Sequence, residues 1–307
     1  MLINILLLVI GFVLLIKGAD YFVDGASALA ERLKIPAIII GLTVVAMGTS
    51  APEAAVSISS ALAGSNAIAI GNVLGSNIAN IFLILGLTAI ITTLTVQKNT
   101  VRFEMPFMIF ITLLLCAIGW KYGMISRMGA GVLLGIFMLF LGYLFVIARG
   151  NTNTDTQIKQ ISPIKIALFI IFGMIALIFG SKITVLAAVD IAQYIGISER
   201  VIGLTVVAFG TSLPELVTSI IAARKGESDI AIGNIVGSNI FNILFVLGVA
   251  GVILPIPFNS EFLFDGVFAI LAAVLLLVFT YKNKKLGRIA GIIFIAIYAI
   301  YLGLLLM

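Results

Sequence analysis

The chain has 307 residues, 62% hydrophobic and 10% charged, with a mean hydropathy of +1.28. A soluble domain carries about 25% charged residues, so this surface cannot face water throughout, and the chain reads as an all-α polytopic membrane protein. The net charge of +5 does not signal nucleic acid, because the basic residues lie between apolar runs, where they set orientation; with no histidine, imidazole acid–base chemistry and imidazole metal sites are excluded.

The first apolar run, 2–33, meets its first positive charge only at Lys17, the reverse of a secretory signal. It is expected to be a retained membrane helix that starts outside. As one helix it runs about 48 Å at 1.5 Å per residue, against a hydrocarbon core about 30 Å thick, so it must tilt or emerge at one end. Asp20, Asp24, Glu31 and Arg32 make its later part amphipathic. Further runs follow at 36–63, 67–94, 101–120 and 127–148, then at 163–195, 198–223, 229–255, 261–281 and 287–306, giving ten expected spans. Cys116, the single cysteine, lies in an apolar run and reads as a buried, inert thiol. The polar stretch 151–162 is expected to be a cytoplasmic linker between two five-helix halves, 1–150 and 163–307. Thirteen basic residues fall in loops on one side of these spans, and Lys121, Arg127 and Arg200 on the other. The positive-inside rule then places both termini outside a cell membrane.

The second span carries GLTVVAMGTSAPE (Gly41–Glu53), which returns as GLTVVAFGTSLPE (Gly203–Glu215). Glu53 and Glu215 sit where a membrane helix should carry no charge, and an ionisable residue there marks an ion or substrate path. Pro52 and Pro214 lack an N–H and disrupt the preceding turn. The spans should therefore kink, with Gly48 and Gly210 loosening the turn and carbonyls freed around Ala46, Thr49, Ala208 and Thr211. Ala46, Ser50 and Glu53 are spaced to share one helix face. The third span carries GNVLGSNIAN (71–80), repeated as GNIVGSNIFN (233–242). Asn72, Ser76 and Asn80 form one polar stripe, matched by Asn234, Ser238 and Asn242, and the Gly-x-x-x-Gly spacing permits close packing against the glutamates.

All these matches share an offset of 162 residues. Five spans per half is an odd number, so the halves should be inverted, an architecture of secondary transporters whose sites lie at the midplane on broken helices. The expected ligands are two carboxylates, four hydroxyls, amide oxygens and freed carbonyls. An all-oxygen set suits hard cations, and Ca²⁺ takes about 6–8 oxygens. Two carboxylates about 5 Å apart repel by roughly 3 kcal/mol at an effective dielectric near 20, so the pair should welcome positive charge. One Ca²⁺ or several Na⁺ would supply it, and two cation classes competing for one charge pair is the logic of an exchanger.

GTSAPE, GTSLPE, GNVLGSN and GNIVGSN resemble the paired signature repeats of the sodium/calcium exchangers, of prokaryotic type without a large cytoplasmic regulatory loop. The resemblance implies Na⁺-driven Ca²⁺ antiport by alternating access, usually three Na⁺ for one Ca²⁺, with spans 1 and 6 sliding across the other eight. It implies Glu53 and Glu215 as shared ligands beside the Thr49 and Thr211 carbonyls. Ser50, Ser76 and the Ala46 carbonyl would form one flanking Na⁺ site, and Ser212, Ser238 and the Ala208 carbonyl the other. Asn80 and Asn242 would line the centre; some members of the family carry Asp at the latter. No cofactor, enzyme activity, nucleic acid or protein partner is implied; the partners are Ca²⁺, Na⁺ and the lipid bilayer. The alternative on the same scaffold is H⁺/Ca²⁺ antiport, which needs only the carboxylates. A passive Ca²⁺ channel fits the inverted repeats less well, and an intramembrane enzyme finds no histidine to work with.

Overall fold

The computed structural model describes residues 2–150, 161–196 and 208–306. They form helices α1 (Leu2–Leu33), α2 (Ala37–Thr49), α3 (Ala51–Leu62), α4 (Asn66–Ile91), α5 (Thr100–Tyr122), α6 (Arg127–Gly150), α7 (Pro163–Tyr194), α8 (Leu213–Arg224), α9 (Ser228–Ile253), α10 (Ser260–Tyr281) and α11 (Arg288–Leu306). Among the described residues eight helices are long and apolar enough to cross a membrane, and nine if the bent pair α2–α3 counts as one span. The expected span 198–223 falls partly outside the described residues, which resume with the short turn Ala208–Gly210. The other expected spans match the helices to within a few residues.

The most buried helices are the third and eighth expected spans, α4 and α9, at the centre. They take the place of a core because their apolar side chains (Ile70, Leu74, Ile78, Ile235, Val236) face protein on all sides. The outer helices leave Phe12, Phe110, Trp120, Leu139, Phe172 and Val278 exposed, as a lipid-facing surface requires. Clusters of rings fill the layer between centre and rim: Phe137 packs on Phe241 and Phe245, and Phe294 on Phe82 and Phe279.

Helices α1 and α7 pair along their length. A Cβ on Gly173 would fall 2.6 Å from the Phe22 amide and 2.7 Å from the Gly18 carbonyl, and one on Gly11 would fall 3.1 Å from the Gly180 carbonyl. Backbone therefore meets backbone, which only small residues permit. The amphipathic end of α1 is not a free extension. Lys225, just past α8, pairs with Asp20 and Asp24, each at 2.6 Å, and Ser27 donates to Glu227 at 2.7 Å.

The all-α expectation misses four two-residue strands at helix ends: β1 (Leu94–Thr95), β2 (Met124–Ile125), β3 (Ile256–Pro257) and β4 (Lys285–Leu286). β1 pairs antiparallel with β4, and β2 with β3. Each ladder joins a loop of the first half to a loop of the second.

Candidate cation-binding site

The Gly-Thr-Ser-x-Pro-Glu sequence breaks its span as its proline demands. Helices α2 and α3 meet at Ser50 with a bend of 50°. Glu53 then lies in the first turn of α3, and Glu215 in the first turn of α8, each with proline at the helix start. A helix N-terminus carries partial positive charge and favours a carboxylate there. Both glutamates are buried, with 1% exposure.

The two carboxylates are cross-braced. Ser50 donates to Glu215 Oε1 at 2.8 Å, and Ser212 donates to Glu53 Oε1 at 3.2 Å. Each serine belongs to the break that carries the opposite glutamate. The second oxygens, Glu53 Oε2 and Glu215 Oε2, are buried and have no hydrogen-bond partner among the described residues.

The asparagines of α4 and α9 interlock in the same way. Asn77 Nδ2 donates to the Asn239 carbonyl at 3.2 Å and Asn239 Nδ2 to the Asn77 carbonyl at 3.1 Å. Asn80 Nδ2 donates to Asn239 Oδ1 at 2.9 Å, and Asn242 Nδ2 to Asn77 Oδ1 at 3.2 Å. With both amide nitrogens used, Asn80 Oδ1 and Asn242 Oδ1 remain buried and without a partner among the described residues. Asn80 and Asn242 each open a π-helical stretch, Asn80–Leu85 and Asn242–Val246, a widened turn that often marks a functional position. Asn72 braces Glu53 from behind, donating to the Glu53 carbonyl at 3.2 Å and to Ser57 at 3.0 Å. Asn234 does the same for Glu215 and Ser219 at 3.4 and 3.0 Å.

The remaining expected residues divide. Thr49 is buried; its hydroxyl donates to Asn234 Oδ1 at 2.9 Å and contacts the Ala46 carbonyl at 3.3 Å. That carbonyl also receives the Ser50 amide at 3.0 Å and the Ser238 hydroxyl at 3.4 Å. It is thus not freed by the break, as expected from the proline alone, because the bend falls four residues later and local donors reach back. Ser76 is buried on α4. Thr211 is half-buried and its hydroxyl, unlike that of Thr49, has no partner among the described residues. Ala208 opens the turn Ala208–Gly210. Gly203–Val207 of the repeated motif lie outside the described residues.

The glycines also have a packing role. A Cβ on Gly48 would meet the Phe22 ring at 2.8 Å and one on Gly210 would run into Val185, so both make room for a side chain of the α1–α7 pair. Gly233 and Gly237 press on Gly41 and Leu42, with a Cβ at 2.9 and 2.7 Å from their Cα atoms. Gly75 has nothing within 4 Å among the described residues.

The twofold pattern breaks at α1 and α7. Helix α1 lies on α8, while α3 and α7 are separated by a cavity of about 610 Å³ lined by Pro52, Val56, Ile178, Val185, Gly210 and Thr211. This cavity reaches the residues beside both breaks. Asn77 and Asn239 were not among the site residues expected from sequence, although the Gly-Ser-Asn triplet in both copies carries them.

Comparison with known proteins agrees with this geometry. The family model described as sodium/calcium exchanger protein matches residues 3–146 and 165–307. The putative antiporter CaxA of Alkalimonas amylolytica is 38% identical over 99% of both chains. The sodium/calcium exchanger MaX1 of Methanosarcina acetivorans is 32% identical, covering 99% of this chain and 98% of its own. A structure of the sodium-calcium exchanger NCX_Mj soaked with zero Na⁺ and Ca²⁺ superposes with a TM-score of 0.86 at 33% identity, covering 99% of each chain. The chain belongs to the sodium/calcium exchanger family, and is a multi-pass membrane transporter rather than an enzyme.

Proposed function

We propose that this exchanger trades three Na⁺ for one Ca²⁺ by alternating access at the Glu53–Glu215 centre. One observation carries the reading: Glu53 Oε2, Glu215 Oε2, Asn80 Oδ1 and Asn242 Oδ1 are buried oxygens without partners among the described residues, at positions matched by the 162-residue offset. Buried polar atoms are otherwise hydrogen-bonded, and four bare oxygens, two of them carboxylate, suit a hard divalent cation. Serines take up the other carboxylate oxygens, which keeps the two glutamates oriented toward each other's half.

In this reading Glu53 and Glu215 are the shared ligands and the Thr49 and Thr211 carbonyls stand beside them. Ser50, Ser76 and the Ala46 carbonyl serve one flanking Na⁺ site; Ser212, Ser238 and the Ala208 carbonyl serve the other. The hydrogen bond from Ser238 to Ala46 couples the two sets. With neutral amides at positions 80 and 242 the centre carries −2. One Ca²⁺ brings it to zero and three Na⁺ to +1, so exchange is electrogenic.

The architecture we infer is ten spans in two inverted halves, 1–150 and 163–307, joined by a cytoplasmic linker at 151–162, with both termini outside. The 162-residue offset relating the bonds of Asn72 to those of Asn234, and of Asn80 to those of Asn242, supports the repeat. In that orientation the cavity between α3 and α7 opens outward, and α1 against α8 closes the inner side.

The test is ⁴⁵Ca²⁺ uptake into Na⁺-loaded proteoliposomes diluted into Na⁺-free buffer, with choline-loaded vesicles as control. Uptake that needs internal Na⁺ and rises with an inside-positive potential supports electrogenic exchange. Uptake that ignores Na⁺ and follows a pH gradient replaces it with H⁺/Ca²⁺ antiport at the same carboxylates.

A further inference from the structure

A third carboxylate is buried away from the centre. Glu104 closes a π-helical stretch, Thr100–Glu104, at the start of α5, and is 4% exposed. Tyr143 of α6 donates to Glu104 Oε1 at 2.8 Å. Glu104 Oε2 has no partner among the described residues, nor does Thr100 Oγ1, which is 1% exposed. Among the described residues the ion pairs are those of Lys225 with Asp20 and Asp24, so no basic side chain neutralises Glu104.

Thr100 and Glu104 line one cavity of about 20 Å³, together with Gln97, Asn99 and the start of α2 at Ile38 and Leu42. Gln97 is held in that wall by donating to Asp229 Oδ2 at 2.6 Å. A volume of this order accepts one water-sized body. The two bare oxygens do not bond each other, so a body between them would satisfy both. A water would do so but would leave a buried charge uncompensated, which is costly away from bulk water. A protonated carboxyl would donate to Thr100 Oγ1, the acceptor that shares its cavity wall, and no such bond is made. Ca²⁺ asks for about 6–8 oxygens and more negative charge than one carboxylate brings.

We propose that Glu104 and Thr100 hold a single small monovalent cation, in a peripheral site separate from the Glu53–Glu215 centre. Its cavity touches none of the residues assigned to exchange. The cation sits on Glu104, which Tyr143 ties to α6, under the apolar start of α2, so it acts as a structural ion of the frame.

The experiment measures thermal unfolding of the purified full chain in detergent, with NaCl exchanged for choline chloride at constant ionic strength. The background is Glu53→Gln with Glu215→Gln, which silences the carboxylates of the centre and makes the readout independent of transport. Na⁺ is expected to raise the midpoint by about 2 °C or more in this background, because a ligand bound only to the folded state stabilises it. Adding Glu104→Gln should remove the rise. If that triple variant does not fold, Thr100→Val on the same background should reduce the rise while leaving the carboxylate in place. No Na⁺-dependent rise in the double variant, as for a water-filled cavity, overturns the proposal. So does a rise that survives Glu104→Gln or is untouched by Thr100→Val.

Discussion

Glu53 and Glu215 each give one oxygen to a serine of the other half and keep one bare. Replacing either with glutamine removes one of two negative charges and puts a donor where an acceptor is required. Glu53→Gln and Glu215→Gln should each abolish Ca²⁺ uptake, and near-normal ⁴⁵Ca²⁺ flux in either variant would sink the paired-carboxylate centre. Ser76→Ala and Ser238→Ala should be milder and Na⁺-selective: the Na⁺ concentration for half-maximal exchange rises several-fold while Ca²⁺ affinity holds. Asn239→Ala removes the acceptor for Asn80 Nδ2. A buried donor left unpaired costs about 1–3 kcal/mol, measurable as a lower unfolding midpoint in detergent. The glutamates and serines were legible in the sequence because polar residues recur at one offset inside apolar runs. Asn77 and Asn239 were not singled out, because reading every fourth residue selects the row Asn72, Ser76, Asn80. Asn77 lies three residues before Asn80, and neighbours at that spacing also share a helix face.

The helix breaks were legible from proline, and their bounds from apolar runs. What the helices do at their ends was not. The carbonyl of Ala46 is retaken by local donors, and Gly48 and Gly210 make room for Phe22 and Val185, partners far away in the chain that no local pattern announces. The α1–α7 contact is the most extensive of these and sets backbone against backbone. Gly173→Ala places a methyl against the backbone of Phe22 and Gly18, which cannot rotate away. Overpacking of this kind costs about 1–3 kcal/mol, so the variant should unfold at lower temperature and exchange more slowly. The end of α1 offers a second test. Burial alone would lower the Lys225 ammonium pKa, but the hydrogen bonds and charges of Asp20 and Asp24 reverse this and leave it raised. Its contribution is then complete below the ordinary lysine value and is lost only as pH climbs through the raised one. Lys225→Met should free this end from α8, seen as faster amide hydrogen exchange over residues 20–31; unchanged exchange would mean that the ion pairs do not hold it.

Across the whole molecule, most helix partners come from opposite halves: α1 with α7 and α8, α2 with α9, α6 with α9, α4 and α5 with α10, and α4 with α11. Composition gave the membrane class, but the interleaving of residues 1–150 with 161–306 depends on pairings across more than a hundred residues, which no sequence period encodes. The two small ladders complete it. Val96 N donates to the Lys284 carbonyl at 2.9 Å beyond β1–β4, and Phe258 N to the Gly123 carbonyl at 2.9 Å beyond β2–β3. Since residues 1–150 and 161–306 wrap and stitch each other, the exchanger should hold together without covalent continuity between them. Two separate polypeptides, 1–155 and 156–307, expressed together should therefore assemble, copurify through a tag on either one, and carry Ca²⁺, whereas each alone should be lost to proteolysis.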